Sequence, residues 1–428
     1  IQSNTTAEQI IFAYAEEQPE GAAQTNAAKP MADTEKKIWT ELDGTTLYVY
    51  SNYTIDLPAD CSLFFANRSA LKTLDLTNFN TSNVTKMYRM FYNCTALTSL
   101  NLSNFDTSKV TSIEDMFYLC SSLQSLDLSN FNTSNVTNML GVFSDCTSLI
   151  SLNLSSFDTR NVTSMKYMFY NCSSLASVDV TKFETGNVAD MRQMFGSCNT
   201  LENLDISHFK TVNVVDIAGM FEDCTNLKSI DVSNFDTSNV NDMSYMFNQC
   251  RSLLYLDVSG FDTSNVTDMV AMFQCCEKLT NIDVSNFDTK NVMDMSFMFN
   301  KCQAVENLDV SKWDTSKVTN MAHMFTACQA LVSLDLANFN TSLVQSMDRM
   351  FRNCSKLETI FVDDKWSITS LLASYDCAAC NGTVAGDSQM FDGCSKLVGA
   401  ISYSSSKIDS TYANYTNGYF TYKAKPTA

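Results

Sequence analysis

An aromatic residue, Phe or Trp, stands at positions 79, 105, 131, 157, 183, 209, 235, 261, 287, 313 and 339, and every interval is 26 residues. The second residue after each aromatic is Thr in all eleven copies, from Thr81 to Thr341. The fifth is Val, from Val84 to Val344, the twelfth is Phe, from Phe91 to Phe351, and the fifteenth is Cys, from Cys94 to Cys354. A period held this strictly over such a length gives each copy one rung of a stack, because a single copy has too little apolar surface to bury alone.

Each copy divides in two. In "VNDMSYMFNQC" (240–250) the apolar residues Val240, Met243, Met246, Phe247 and Cys250 fall on one stripe of a short helix. The preceding "DTSN" supplies residues suited to a helix N-cap. In "LLYLDVS" (253–259) Leu253, Leu256 and Val258 give L-x-x-L-x-L, and the end alternates like a strand with one buried face. The expected fold class is therefore α/β: a leucine-rich-repeat-like solenoid of about twelve strand-plus-short-helix rungs. At about 4.8 Å per strand its length would be about 55 Å.

The ends of an open stack need covers. "IWTELDGTTLYVYS" (38–51) reads as a hairpin turning at Asp43-Gly44. "MFDGCSKLVGAI" (390–401) repeats half a copy, and "TYANYTNGYFTYK" (411–423) is aromatic and strand-like. The expected division is a linker or extension over 1–36, a cap hairpin over 37–60, the repeats over 61–365 and a C-terminal cap over 366–428.

The pattern "LDVSNFDTSNVTDMxxMF..C" resembles the repeat of the BspA-like leucine-rich-repeat surface proteins, also known as the mycoplasma-type lipoprotein repeat. The resemblance covers about 61–362, and the tail "MFDGCSKLVGA…TYANYTNGYFTYK" resembles the terminal cap of such proteins. It implies a secreted or surface-attached protein that binds host matrix proteins, other cells or glycans. The family has no defined binding motif, so the resemblance assigns no site residue.

Chemistry is sparse. The two histidines, His208 and His323, sit at variable positions and read as surface residues; no nucleophile is spaced against either. Phosphate-cradling and zinc-protease motifs are absent from the sequence. The eleven repeat cysteines and Cys394 lie on the apolar stripe and read as buried free thiols, a column without the paired spacing of a zinc site. Cys377 and Cys380 alone have the C-x-x-C form, a candidate cap disulfide, half a metal site or a redox pair. Cys61 and Cys275 have no assigned role. An enzyme is not expected.

The informative polar column is the residue between the two apolar strand positions. It reads Asp75, Asn101, Asp127, Asn153, Asp179, Asp205, Asp231, Asp257, Asp283, Asp309, Asp335 and Phe361. Asp is a poor strand former, and like charges about 4.8 Å apart repel by about 0.9 kcal/mol even in water. A parallel column of Ser and Thr could donate to the carboxylates. Two readings stand: the acids solvate the sheet face and block sheet-on-sheet association, or Asp179, Asp205, Asp231, Asp257, Asp283, Asp309 and Asp335 bind a basic partner surface. Asp231, Asp257 and Asp283 are also candidate calcium ligands; no other cofactor is expected. The net charge of −19 disfavours nucleic acid and anionic membranes as partners. No apolar run is long enough to span a bilayer. The expected function is that of an extracellular or cell-surface adhesin binding a protein or glycan through the strand-lined face. The alternative is a structural subunit of a filament or surface layer assembling through its caps.

Overall fold

The computed structural model describes residues 6–24, 38–371 and 389–423. The chain forms two compact units, 1–188 with 197–204, and 189–196 with 205–428. In each, copies of the repeat stack in register at an offset of 26 residues, seen in the parallel bridges Lys86↔Ser112 of the first unit and Asp242↔Asp268↔Asp294 of the second.

The short helix expected in each rung is absent. Among the described residues the one helical turn is a 3₁₀ turn, Ser410–Tyr412, in the C-terminal region. The segment that carries the apolar stripe is a chain of tight turns. The N–H groups of Met246, Asn248 and Cys250 reach back three residues, to the carbonyls of Met243, Tyr245 and Phe247. The N–H groups of Met243, Tyr245, Phe247 and Gln249 instead cross to the next rung, onto Asp268, Val270, Met272 and Gln274 at 2.7–3.1 Å. Two residues four apart in each rung are left-handed, as at Tyr245 (φ 58°) and Gln249 (φ 64°). An α-helix would turn those N–H groups inward along its own axis; here they bond rung to rung, which a stack rewards and an isolated helix cannot. Apolar residues spaced three apart suit both geometries, so the stripe alone does not separate them.

The strand half is short. In the first unit β8 (Ser125–Asp127) pairs in parallel with β9 (Ser151–Asn153). In the second, β10 (Ser333–Asp335), β11 (Thr359–Val362) and β12 (Phe420–Tyr422) form a parallel sheet. Between them the same position is marked by the bridge Ser229↔Tyr255. The fold is thus a repeat with short strands and turn ladders in place of strand and helix.

The N-terminal sheet has the order β2-β3-β4-β1-β6. The hairpin β3 (Ile38–Asp43) and β4 (Thr46–Ser51) turns at Asp43-Gly44, with Gly44 left-handed at φ 58°. Between that hairpin and β6 (Thr73–Leu74) lies β1 (Gln9–Tyr14). The segment expected as a linker or extension contributes a strand to this sheet: Ile10 and Phe12 are buried, and the Phe12 ring meets Phe79 at 4.5 Å. The strand β2 (Ala23–Gln24) lines the outer edge, and β5 (Ile55–Asp56) pairs with β7 (Phe79–Asn80).

The core is built of columns. Phe65, Phe91, Phe117, Phe143 and Phe169 stack face to face in the first unit, with centroids 5.6–5.8 Å apart. In the second, Phe195, Phe221, Phe247, Phe273, Phe299, Phe325, Phe351 and Phe391 do the same at 5.6–6.1 Å. Beside the rings runs the cysteine column, each thiol donating to a Phe carbonyl of the preceding rung, as Cys250 does to Phe221 at 3.2 Å. The fourteen described cysteines are all buried, and none of them is in a disulfide.

Burial pushes the thiols of Cys61 and Cys94 up to about 11 and those of Cys146, Cys198 and Cys354 up to about 12. Thiols of an unfolded chain ionise near pH 8.5, so these groups contribute stability below about pH 8.5 that is lost as pH rises through the folded values. The described thiols are expected to be silent toward Ellman's reagent at pH 8 and to react on addition of urea. The urea midpoint should fall steeply above about pH 9. Rapid labelling of the native protein at these positions would contradict the buried column.

Candidate binding surface

The residue between the apolar strand positions does face outward. Asp179 and its neighbours Asp75, Asn101, Asp127 and Asn153 belong to the first unit, and Asp205, Asp231, Asp257, Asp283, Asp309 and Asp335 to the second. The six of the second unit are exposed or half-exposed.

Each carboxylate closes a turn with the residue two positions on. Asp231 Oδ1 accepts the Ser233 N–H at 3.0 Å and the Ser233 hydroxyl at 2.6 Å. The same pair of bonds recurs at Asp257–Ser259, Asp283–Ser285 and Asp309–Ser311. Asp179–Thr181 and Asp205–Ser207 repeat it. The hydroxyl bonds first, and then the N–H bonds, hold these six carboxyl groups below the usual carboxylate range. The face consequently keeps its charge in mildly acidic solution. Where Asn stands in the column the turn survives without the charge: Asn101 and Asn153 accept the N–H groups of Ser103 and Ser155 at 3.1 Å.

The column ends at Phe361, which lies beside Asp335 in the parallel register. Lys423, just after β12, forms an ion pair with Asp335 and places its ammonium 5.7 Å over the Phe361 ring. Apolar side chains also interrupt the polar strand face. Leu254 is 56% exposed and Tyr255 63% exposed, in the rung of Asp257.

Among the described residues no group of three or more His, Cys, Asp or Glu side chains is disposed to hold a metal ion, Asp231, Asp257 and Asp283 included. Each of those three rungs presents one carboxylate, with one oxygen committed to its own turn. Cys377 and Cys380 lie outside the described residues.

A second acidic column, not singled out in the sequence, runs along the turn ladder of the second unit through Asp190, Asp216, Asp242, Asp268 and Asp294, all half-buried. These side chains also cap turns, Asp242 accepting the Ser244 N–H at 2.9 Å and Asp268 the Val270 N–H at 2.9 Å. Arg192 answers part of the charge, with Nε 2.9 Å from Asp216 and an amino group 3.8 Å from Asp242. Burial pushes Asp268 up, with Asp242 and Asp294 adding to the shift. The signal was available as Asp recurring two residues after the invariant Val of the repeat.

His208 packs edge-on against Phe209. His323, expected at the surface, is half-buried: its ring stacks on Phe297 at 4.6 Å, and Nε2 lies 3.7 Å from Asp348. Burial lowers its pKa. The neighbouring Thr326 hydroxyl donates to the Arg349 carbonyl and lies 3.4 Å from His323 Nδ1.

Among the described residues no helix is long and apolar enough to cross a membrane. The repeat region matches, over residues 59–177, 171–281 and 242–366, a family described as Mycoplasma protein of unknown function, DUF285. A search of curated proteins finds no match.

Proposed function

The chain belongs to the DUF285 repeat family, and from that premise we propose that it is a binding protein: a leucine-rich-repeat-type solenoid, secreted or held at a cell surface, that docks an extracellular protein or glycan on its strand-lined face. The observation that carries this reading is the unbroken acidic column Asp205–Asp335 of the second unit, one carboxylate per rung, with Leu254 and Tyr255 exposed beside it. Fixed, evenly spaced charges steer association and set register, while exposed aromatic and aliphatic groups supply contact area. The leucine-rich-repeat kinship is supported by the L-x-x-L-x-L strand pattern and by the parallel pairing at 26-residue offset.

The experiment is binding to a panel of matrix proteins and glycans, with and without calcium, comparing the native protein with Asp231→Asn/Asp257→Asn/Asp283→Asn. Asn preserves the turn, as Asn101 and Asn153 do, so the variant should fold, with a small loss of stability from the missing hydroxyl-to-carboxylate bonds. Three exposed contacts at about 0.5 kcal/mol each predict about tenfold weaker binding. Unchanged binding would leave the column a solubility device.

A further inference from the structure

We propose that the groove between β4 and β6 of the first unit is a strand-acceptor site, and that a second copy of this chain fills it with its own Gln9–Tyr14 strand, so that two chains exchange β1 reciprocally. Such an exchange leaves the acidic face free and is independent of the binding reading above. Three observations lead to it.

The first is the way β1 is seated. It pairs with β4 over its whole length, from Gln9↔Thr46 to Tyr14↔Ser51, and with β6 at Gln9↔Thr73 and Ile10↔Leu74. The Glu8 carbonyl accepts the Lys72 N–H at 2.6 Å, and the Ile10 carbonyl accepts the Asp75 N–H at 3.1 Å. Both walls of the groove are thus made by later chain that is distant from β1 in sequence. Without β1 two facing rows of main-chain donors and acceptors stand open, and an unpaired strand edge is a template for another strand.

The second is selectivity. The groove reads alternate side chains of its occupant. Glu8 pairs with Lys72 at 2.6 Å, Ile10 and Phe12 are buried, and the Phe12 ring lies 4.5 Å from Phe79. An occupant therefore carries Glu, Ile and Phe at every second position. That combination occurs once in the sequence, at Glu8, Ile10 and Phe12. The same strand from another copy satisfies every one of these contacts.

The third is the connection. Residues 15–22 lead from β1 to β2, which lies at the far edge of the sheet, beyond β4 and β3. Glu16, Glu17, Gln18, Glu20 and Gly21 are exposed. Among the described residues the main chain of 16–21 bonds only within the loop, where Pro19 accepts the Ala22 N–H at 3.1 Å. A strand held by its two edges and tied on by an exposed link can leave and be replaced by an identical strand without loss of contacts, which is the low-cost route to an exchanged dimer.

The test is disulfide trapping in register. Ala13 and Tyr50 are partners in the parallel ladder and both are half-buried, so cysteines there fall within bridging distance. The full chain is made as Ala13→Cys and, separately, as Tyr50→Cys. The two are mixed in equal amounts over a range of concentrations, oxidised with oxidised glutathione and read on non-reducing gels. A mixed dimer should form and rise with concentration. Ile10→Asp/Phe12→Asp placed in the Ala13→Cys chain should lower its yield about tenfold, because two buried apolar contacts become buried charges. Leu42→Cys, exposed on β3 and away from the groove, should trap Ala13→Cys as poorly. The double variant Ala13→Cys/Tyr50→Cys should close within one chain in dilute solution. Gln9→Cys with Thr46→Cys, at the other end of the same ladder, repeats the measurement without touching Tyr50. No mixed dimer from either pair, equal yields with Leu42→Cys, or a double variant that does not close would each overturn the proposal.

Discussion

Phe247→Ala is expected to cost about 3–5 kcal/mol, the loss typical of a fully buried aromatic replaced by a cavity. Phe247 is fully buried, stacked between Phe221 at 5.6 Å and Phe273 at 5.9 Å. Its removal deletes the ring's transfer free energy and two ring–ring contacts worth about 0.5–1.5 kcal/mol each. The neighbours cannot collapse into the gap, because Met243, Met246 and Cys250 are already seated in their own columns and the rung spacing is fixed by bonds to the rungs above and below. In a stack whose stability is a sum of nearest-neighbour terms, the damage should be local to the second unit. Urea denaturation followed by circular dichroism should show a lowered midpoint for part of the transition. A loss below about 1 kcal/mol would mean that the aromatic column is not a principal support.

Thr133→Val is expected to be almost as damaging, although it adds apolar surface. Thr133 is 1% exposed; its hydroxyl donates to the Asp158 carbonyl at 2.9 Å and accepts the Asp158 N–H at 2.8 Å. One side chain thus satisfies both backbone groups of one residue in the next rung. Valine has the same shape and neither function, leaving a buried N–H and a buried C=O without partners, at about 1–3 kcal/mol each. Thr133→Ser keeps the hydroxyl and loses a methyl, for about 1 kcal/mol. The predicted order of stability, Thr above Ser above Val, reverses the order of apolarity. A valine variant more stable than the serine variant would refute the hydroxyl bridge.

That threonine shows how far the sequence could be read. Its presence in all eleven copies was visible, but its purpose was not, because the bond is made to a backbone whose position depends on the register between rungs. The apolar columns of Val, Met, Phe and Cys were legible since burial follows directly from side-chain type at a fixed period. The helix was misread because residues three apart line one face of a helix and one side of a run of tight turns alike. What distinguishes the two is the destination of the N–H groups. The left-handed positions, held by Asn93, Asp145, Asn171, Asp223 and Asn353 in several copies and by glycine at 141 and 219, were the available hint, since those residue types tolerate positive φ. The cap hairpin at Asp43-Gly44 announced itself by its turn. The strand Gln9–Tyr14 did not, as it lies outside the period and joins its sheet between β4 and β6, far from it in sequence. The acidic face was legible as a column, whereas the turn-closing role of each carboxylate and the pairing of Lys423 with Asp335 depend on the folded register.

The most direct test of the account is a matched comparison of charge removal on two faces of the second unit. Asp231, Asp257 and Asp283 on the strand face are replaced by Asn in one variant. Asp236, Asp262 and Asp314, which cap Ser238, Ser264 and Ser316 in the following loop, are replaced in the other. Net charge and turn capping change equally in both. Binding of whichever panel partner the native protein takes should fall about tenfold in the first variant and stay within about twofold in the second. Equal losses in both would reduce the interaction to net charge, and no loss in either would take the binding site off the strand face.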